Sequence, residues 1–136
     1  PAALDALYAL TDGYPYFVQA YGKFTWDVAL GSPVTAEDVH EAAPDAEAEL
    51  AVGFFGARYD RATPAERDYM TAMADLGAEH GDAAIPTADV ARHLGRKPQS
   101  LSPARDGLIK KGLVYSGERG SVAFTVPHFG KFLRAR

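Results

Sequence analysis

The sequence predicts a mainly α-helical fold with a small β-hairpin near the C-terminus. Apolar residues recur at three- and four-residue spacing along most of the 136 residues, as is typical of amphipathic helices. Thr, Asp, Pro and Gly separate these stretches, as expected where helices start and end. Within residues 113–126 apolar residues instead alternate with others, which favours short strands. Hydrophobic residues make up 47% and charged residues 24% of the chain, which argues against disorder throughout.

Two helices separated by a turn are predicted for residues 1–30. The turn is Thr-Asp-Gly-Tyr-Pro, in which Asp12 can cap a helix, Gly13 permits unusual dihedrals and Pro15 suits a first helical turn. The second helix presents one apolar stripe, formed by Phe17, Ala20, Tyr21, Phe24 and Val28. A Gly-Ser-Pro sequence at 31–33 is expected to end it.

Two more helices are expected before residue 60. Thr35 is the predicted N-cap of a short helix with acidic residues in its first turn. Pro44 is expected to begin the next helix, because proline suits a first helical position. The buried side of that helix comprises Leu50, Phe54, Phe55 and Tyr59. Gly53 and Gly56 lie among them and indicate close packing of a neighbouring element.

A strong helix start follows at 63–66, Thr-Pro-Ala-Glu. Thr63 can cap, Pro64 fits the first helical position, and Glu66 completes a capping box. The inward residues of this helix are Tyr69, Met70, Met73 and Leu76. Residues 77–84 are expected to form a loop.

Residues 86–112 are predicted to form two helices joined by a tight turn. The first carries Val90, Ala91 and Leu94 inward, and Gly95 permits the sharp turn. The second carries Leu101, Ala104, Leu108 and Ile109 inward and ends at Gly112. Pro103 leaves its start open: either the helix includes the residues before Ser102, or it begins at Ser102 as N-cap, with residues 96–101 as a turn.

A two-stranded hairpin and a closing helical turn complete the chain. Residues 113–115 form the first strand, 117–120 the turn, and Val122, Phe124 and Val126 the second strand. This order of helix, turn, helix and hairpin wing is that of a winged helix-turn-helix domain. Its predicted core consists of Met70, Met73, Val90, Leu94, Leu101, Leu108, Ile109, Val114, Phe124 and Val126.

Charge is distributed unevenly along the chain. Residues 1–82 contain four basic and fifteen acidic residues, a net charge of −11, whereas residues 83–136 contain ten basic and three acidic residues, a net charge of +7. Such asymmetry indicates that the second part contacts a polyanion. The alternative is that both parts are ordinary solvated surfaces. Because the second helix of a helix-turn-helix enters the major groove with its N-terminal part leading, duplex DNA is the expected partner.

The expected DNA contacts lie on this second helix and on the wing. Gln and Arg side chains read base edges, Ser bonds bases or phosphates, and the remaining basic residues touch phosphates. The predicted set is Arg92, Arg96, Lys97, Gln99, Ser100, Ser102, Arg105, Lys110, Lys111 and, at the wing tip, Arg119. If the helix begins at Ser102, Arg105 is the leading basic residue. The alternative is a protein–protein module whose basic face packs on an acidic partner.

Enzymatic and membrane functions are not expected for this chain. The absence of cysteine excludes disulfides and thiolate metal sites, and it fits a cytoplasmic location. The four histidines lack ligand spacing, so we expect no metal. Neither Gly-Lys pair, at 22–23 and 130–131, has the upstream glycine of a phosphate loop, so no cofactor is expected. No apolar run of 18 residues is present, so we expect no membrane partner.

Two stretches resemble the C-terminal region of bacterial AAA+ ATPases of the type related to archaeal origin-recognition and signal-transduction (STAND) ATPases. Residues 10–22, Leu-Thr-Asp-Gly-Tyr-Pro-Tyr-Phe-Val-Gln-Ala-Tyr-Gly, are similar to the last helix of the helical lid. Residues 101–103, Leu-Ser-Pro, through 124–129, Phe-Thr-Val-Pro-His-Phe, are similar to the family's winged helix and closing turn.

The resemblance implies a lid remnant and connector at 1–60 and a winged helix at 61–136. It also implies that the intact protein has an ATP-binding domain with Walker motifs upstream of Pro1, so that this chain is a non-enzymatic fragment without a cofactor. Lids of this superfamily often place an arginine at the positions of Pro15 and Tyr16, and neither is arginine here. In such proteins the winged helix binds DNA or packs on the ATPase domain as a regulatory lock.

Overall fold

The computed structural model describes the chain except for Ser32, residues 81–83 and 118–119, and the side chains of residues 79 and 80. The described residues are mainly helical, with a small antiparallel sheet. The elements are α1 (Ala2–Thr11), α2 (Pro15–Val28), α3 (Ala36–Glu49), a π-helical segment (Leu50–Phe55), α4 (Gly56–Asp60), α5 (Pro64–His80), β1 (Ile85–Pro86), α6 (Thr87–Leu94), α7 (Pro98–Lys110), β2 (Val114–Tyr115), β3 (Ser121–Phe124) and α8 (Phe129–Arg134). They divide into two units, Pro1–Ala57 and Arg58–Arg136.

The first unit packs α1, α2 and α3 around a cluster of aromatic rings. The Phe17 ring lies edge-on to Phe54, with centroids 5.2 Å apart, and Phe55 packs 5.4 Å from Phe17. Small residues of α3, Ala42 and Ala46, are fully buried and let the helices approach closely. The predicted inward stripe of α2 is confirmed for Phe17, Ala20 and Tyr21, which are buried, whereas Phe24 and Val28 are only half-buried.

Proline does not divide α3, so the prediction of a new helix at Pro44 is wrong. Pro44 lies inside α3, which begins at a capping box between Thr35 and Asp38. A proline in a helix interior leaves the carbonyl four residues earlier without its amide partner. Both Pro44 and His40, which carries that carbonyl, are exposed, so water can satisfy it.

The π-helical segment brings Leu50, Phe54 and Phe55 together into the core of the first unit. Its wider turn, with hydrogen bonds between residues five apart, lets residues four and five positions apart share one side. Gly53 is exposed, and a Cβ there would meet no atom within 4 Å. The predicted close packing at Gly53 is therefore wrong. The π-helical segment instead directs the two phenylalanine side chains into the core.

Capping of α2 also differs from the prediction. Tyr14, rather than Asp12, occupies its N-cap position, and Pro15 follows as expected. Asp12 instead ends α1 in the left-handed conformation, with φ of 53°. The Thr11 hydroxyl accepts a hydrogen bond from the amide of Gly13 at 3.2 Å, which holds this turn.

The second unit begins with the expected capping box. The Thr63 amide donates to the Glu66 carboxylate at 2.9 Å, and the Glu66 amide donates to the Thr63 hydroxyl at 3.2 Å. From this start α5 continues to His80, so the loop predicted from Gly77 begins at least four residues too early. Gly77 is buried within the helix, which explains why a small residue is found there.

A three-stranded sheet with the order β1-β3-β2 lies in the second unit. The sequence analysis missed β1, in which Ile85 pairs with Val122 of β3. Both neighbours are antiparallel to β3, and Val114 of β2 pairs with Phe124. Because β3 is central and covered, the predicted alternation is wrong for this strand: its first three residues are all buried.

The core of the second unit contains most of its predicted members, with one clear exception. Met70, Val90 and Leu108 are completely buried. Ile109 is 37% exposed, so its prediction as a core residue is wrong. It directly follows Leu108, and consecutive side chains of a helix point about 100° apart, so Ile109 lies at the edge of the buried face. Leu94 and Phe124 are half-buried.

Across the described part of the chain, no helix is both long enough and apolar enough to cross a bilayer.

Candidate nucleic-acid interface

A tight turn of three residues joins α6 to α7. Gly95 adopts the left-handed conformation, with φ of 66°, that a residue with a side chain rarely takes. Its amide donates to the carbonyl of Arg92, and the amide of Arg96 donates to that of Ala91 at 3.0 Å. These bonds close α6 as in a Schellman motif, so the direction of the chain into α7 is set by Gly95.

The start of α7 settles the alternative that the sequence left open. The helix begins at Pro98, with Lys97 as N-cap, and Pro103 lies inside it. A start at Ser102 is therefore wrong. Pro98 fits the first position, and Pro103 and Gln99 are both exposed, so the carbonyl that Pro103 leaves unbonded faces water.

The buried face of α7 consists of Leu101, Ala104 and Leu108, which pack inward. The opposite, exposed face carries polar, charged and apolar residues: Gln99, Ser100, Pro103, Asp106, Ile109 and Lys110. The outward face is thus mixed in charge, and its basic character is concentrated at the two ends of the helix.

We call Arg96, Lys97, Gln99 and Ser100 the leading end of α7. All four are exposed. In the described structure neither Arg96 nor Lys97 has an acidic group within ion-pair distance. The first amides of a helix point outward without intrahelical partners, and the helix dipole adds positive potential there. The leading end therefore presents uncompensated positive charge.

Two other predicted contacts flank the leading end. Arg92 is 77% exposed in its side chain and pairs with Asp89 at 3.0 Å, one turn earlier on α6. Exposed pairs of this kind contribute little to stability, so Arg92 can exchange Asp89 for another anion. Ser102 is half-buried, and its hydroxyl lies 3.5 Å from the carbonyl of Pro98.

Arg105 lies at the side of α7 and not on its outward face. Its side chain is 35% exposed, and one guanidinium nitrogen lies 3.4 Å from the carboxylate of Asp106. Its Nε is buried and has no hydrogen-bond partner among the described atoms. Arg105 lines a cavity together with Tyr69 and Ser102, among other residues.

Lys111, at the other end of α7, is held by an ion pair that sequence analysis missed. Its ammonium donates to the carboxylate of Glu66, whose side chain is 7% exposed. Glu66 lies against Gly107 of α7, where any Cβ would overlap the carboxylate. The only signal in the sequence was the capping-box Glu66, and the 45 residues between the partners hide the pairing.

Burial raises the pKa of Glu66, but hydrogen bonds from Lys111 and Thr63 outweigh it, so the pKa lies below its ordinary value. The carboxylate therefore stays charged at neutral pH, and Lys111 is committed to it.

The remaining predicted contacts are Lys110 and Arg119. Lys110 is exposed, and among the described residues no ion pair involves it. Arg119, at the expected wing tip, lies outside the described residues. Next to the turn of the hairpin, the Ser116 hydroxyl donates to the carbonyl of Ser121 at 3.3 Å.

The two units differ in net charge. Residues 1–57 contain one basic and nine acidic residues, for a net charge of −8, and residues 58–136 contain thirteen basic and nine acidic residues, for +4. Within the described residues there is no group of three or more His, Asp or Glu side chains that could hold a metal ion.

The described residues thus define a mainly helical protein with a small antiparallel sheet and a basic helix end in its second unit. Residues 52–133, more than half of the chain, match the family described as a domain of unknown function, DUF8462. The chain belongs to this family. Searches of curated proteins and of solved structures gave no match.

Proposed function

We propose that residues 58–136 form a winged helix-turn-helix domain that binds duplex DNA. The order of elements supports the fold: α5, β1, α6, a three-residue turn, α7, then β2 and β3, with β1 completing the sheet beside β3. In this arrangement α7 is the recognition helix and the β2–β3 hairpin is the wing.

The observation that carries the proposal is the uncompensated charge at the leading end of α7. A recognition helix approaches the major groove with its N-terminal part first, where amides and cations meet phosphates. Arg96 and Lys97 are placed to bind phosphates, and the exposed amide of Gln99 suits a bidentate pair with adenine.

The ion pairs reduce the number of predicted phosphate contacts. Lys111 is held by Glu66. Arg105 lies at the side of α7, partly buried and next to Asp106. Among the predicted contacts that the structure describes, the basic residues that remain are Arg92, Arg96, Lys97 and Lys110. Four phosphate contacts correspond to a slope of log affinity against log salt of about −4.

The test measures binding of a short fluorescein-labelled duplex of mixed sequence by fluorescence anisotropy, between about 50 and 200 mM salt. We expect the double variant Arg96→Gln/Lys97→Gln to bind more weakly and to lose about 2 from the magnitude of the salt slope. Binding that does not depend on salt, or no binding at the lowest salt, would refute the proposal.

Arg61→Gln is the matched control for charge removal. Arg61 is exposed and precedes α5, whose Glu66 contacts Lys111 at the far end of α7. The thirteen residues of α7 span roughly 20 Å, so Arg61 lies away from the leading end. We expect its loss to leave the salt slope unchanged.

A protein–protein or autoregulatory role is the second candidate. Its support is the outward face of α7, where Asp106 and the half-exposed Ile109 lie between the basic ends. Asp106→Asn separates the two candidates. If α7 lies against phosphates, this variant binds DNA more tightly, whereas a face used for protein contact predicts no such gain.

The relationship to AAA+ ATPases remains a proposal that rests on the resemblance of residues 10–22 and 101–129 alone. It predicts a Walker A motif in the gene upstream of the codon for Pro1. An upstream sequence without a phosphate loop would contradict it and would leave the proposed DNA binding untouched.

A further inference from the structure

A cavity of about 180 Å³ opens between α5, α6 and the first turns of α7. Its polar lining consists of Tyr69, Thr87, Gln99, Ser102 and Arg105, with Pro98 and Leu101 completing the walls. None of these described lining residues is acidic. We call this space the α7 cavity.

Arg105 is the only charged residue among the described residues that line the α7 cavity. Its Nε is buried and makes no hydrogen bond within the described part of the chain. An unsatisfied buried donor costs free energy, more so when it belongs to a charged group. The Asp106 carboxylate, 3.4 Å from a terminal nitrogen, leaves Nε without an acceptor.

The other lining groups add donors around Arg105. Gln99 contributes an amide that can turn its donor end inward. The Ser102 hydroxyl makes only a long contact of 3.5 Å with the Pro98 carbonyl and can turn to a ligand, whereas the Thr87 hydroxyl donates to the carbonyl of Gly120. Burial raises the pKa of Tyr69 above its ordinary value, although the charge of Arg105 lowers it somewhat. The phenol therefore remains protonated and able to donate. One cation and further donors, with Asp106 touching only one terminal nitrogen of that cation from outside the lining, are the complement of an oxyanion.

We propose that the α7 cavity binds the carboxylate or phosphate group of a compact anion, with Arg105 as its charged partner. A planar guanidinium binds both groups with two parallel hydrogen bonds. The anion comes either from a free small molecule or from the DNA backbone. The site does not depend on DNA binding, because its donors are assembled in the protein alone.

The test follows the Arg105 Nε–Hε signal by NMR while inorganic phosphate, and separately acetate, is added at constant ionic strength. We expect a saturable shift of this signal and of the Leu101 and Tyr69 signals. Arg105→Gln should weaken anion binding by at least about tenfold, as measured at the Leu101 amide. Arg61→Gln is the control, since Arg61 is an exposed cation that is not among the residues lining the cavity, and it should leave the binding constant unchanged.

A shift that grows linearly without saturating, or equal loss of binding in Arg61→Gln and Arg105→Gln, would overturn the proposal. If Arg105→Gln fails to fold, as judged by circular dichroism, Ser102→Ala provides the second variant, because it removes one hydrogen-bond donor from a half-buried position. We expect it to weaken binding, and unchanged binding would count against the site.

Addition of duplex DNA distinguishes the sources of the anion. If a backbone phosphate occupies the cavity, DNA shifts the Arg105 signal and free phosphate competes with it. If the ligand is a free small molecule, phosphate binds equally with and without DNA. Either result supports an anion site, and the titration without DNA tests it even if the chain binds no DNA.

Discussion

The two ends of α7 carry cations with different roles. At the leading end, Arg96 and Lys97 are exposed, and no ion pair is seen for them in the described structure. At the C-terminal end, Lys111 is paired with the buried Glu66, while its neighbour Lys110 is exposed. The comparison teaches that net charge alone does not identify a binding surface, because part of it is committed to holding the fold.

The two ends also differ in how they are anchored. Glu66 caps α5 through Thr63 and contacts Gly107 and Lys111, so one carboxylate joins two helices. The leading end instead follows the turn at Gly95 and borders the α7 cavity. We therefore expect substitutions at the C-terminal end to change stability, and those at the leading end to change binding.

The largest expected effect is the loss of core packing at the C-terminal end. Leu108→Ala should lower the free energy of unfolding by about 2–5 kcal/mol, because it leaves a cavity at a completely buried position. Ile109→Ala is the matched control and should cost less than about 1 kcal/mol, since Ile109 is partly exposed. Urea unfolding followed by circular dichroism measures both. Equal losses would contradict the observed orientation of α7.

Removal of the carboxylate that joins α5 and α7 should have the next largest effect. Glu66→Ala should cost about 2–4 kcal/mol, because it removes an N-terminal cap and a charge-assisted hydrogen bond. Asp68→Ala, at an exposed position of the same helix, serves as control and should cost little. Hydrogen exchange of the α5 and α7 amides locates the effect. Loss of protection in α5 alone would show that the link to α7 contributes nothing.

The same carboxylate predicts a dependence of stability on pH. The pKa of Glu66 is lowered by folding, so the unfolded state binds the proton more readily than the folded state. Its contribution is therefore complete above the ordinary carboxyl pKa of about 4.3 and is lost as pH falls through the lower pKa of the folded state. The stability difference between the wild-type chain and Glu66→Gln should shrink over that range in urea unfolding. A difference independent of pH would contradict the ion pair.

Local signals predicted much of this region, and partners distant in sequence account for the failures. The capping box at Thr63 and the turn at Gly95 depend on residues within a few positions, so the sequence shows them directly. The strand β1 has only two residues and exists by pairing with β3. Pro86, for example, pairs with Ser121, which lies 35 residues later in the chain. No local propensity indicates such a strand.

Likewise, only part of the candidate site could be predicted from the sequence. The exposed cations of the leading end follow from composition and from the order of the helices. The commitment of Lys111 to Glu66 could not be predicted, because the sequence does not reveal which acid a lysine meets. Ile109 and Pro103 show a related difficulty, since tertiary packing decided between patterns that spacing and propensity left ambiguous.

Two prolines of α7 test how a proline inside the helix, compared with one at its first position, affects the free energy of unfolding. Pro103→Ala should raise the free energy of unfolding by about 1 kcal/mol, because alanine restores the amide for the Gln99 carbonyl, partly offset by greater freedom of the unfolded chain. Pro98→Ala is the control at the first helical position, where proline is favourable, and should give no gain. Thermal unfolding measures both. A loss of stability in Pro103→Ala would mean that the proline packs usefully where it stands.

The smallest expected effect comes from the adjacent lysines at the end of α7, and it tests the comparison most directly. Lys110→Gln should reduce the magnitude of the salt slope of DNA binding by about 1, because it removes one exposed phosphate contact, without changing stability. Lys111→Gln should leave the slope unchanged and lower stability, because it leaves Glu66 buried without its cation. Fluorescence anisotropy and urea unfolding of both variants provide the four measurements. If the two lysines affect the slope equally, Lys111 exchanges Glu66 for phosphate on binding, and the division of α7 into a structural end and a binding end is wrong.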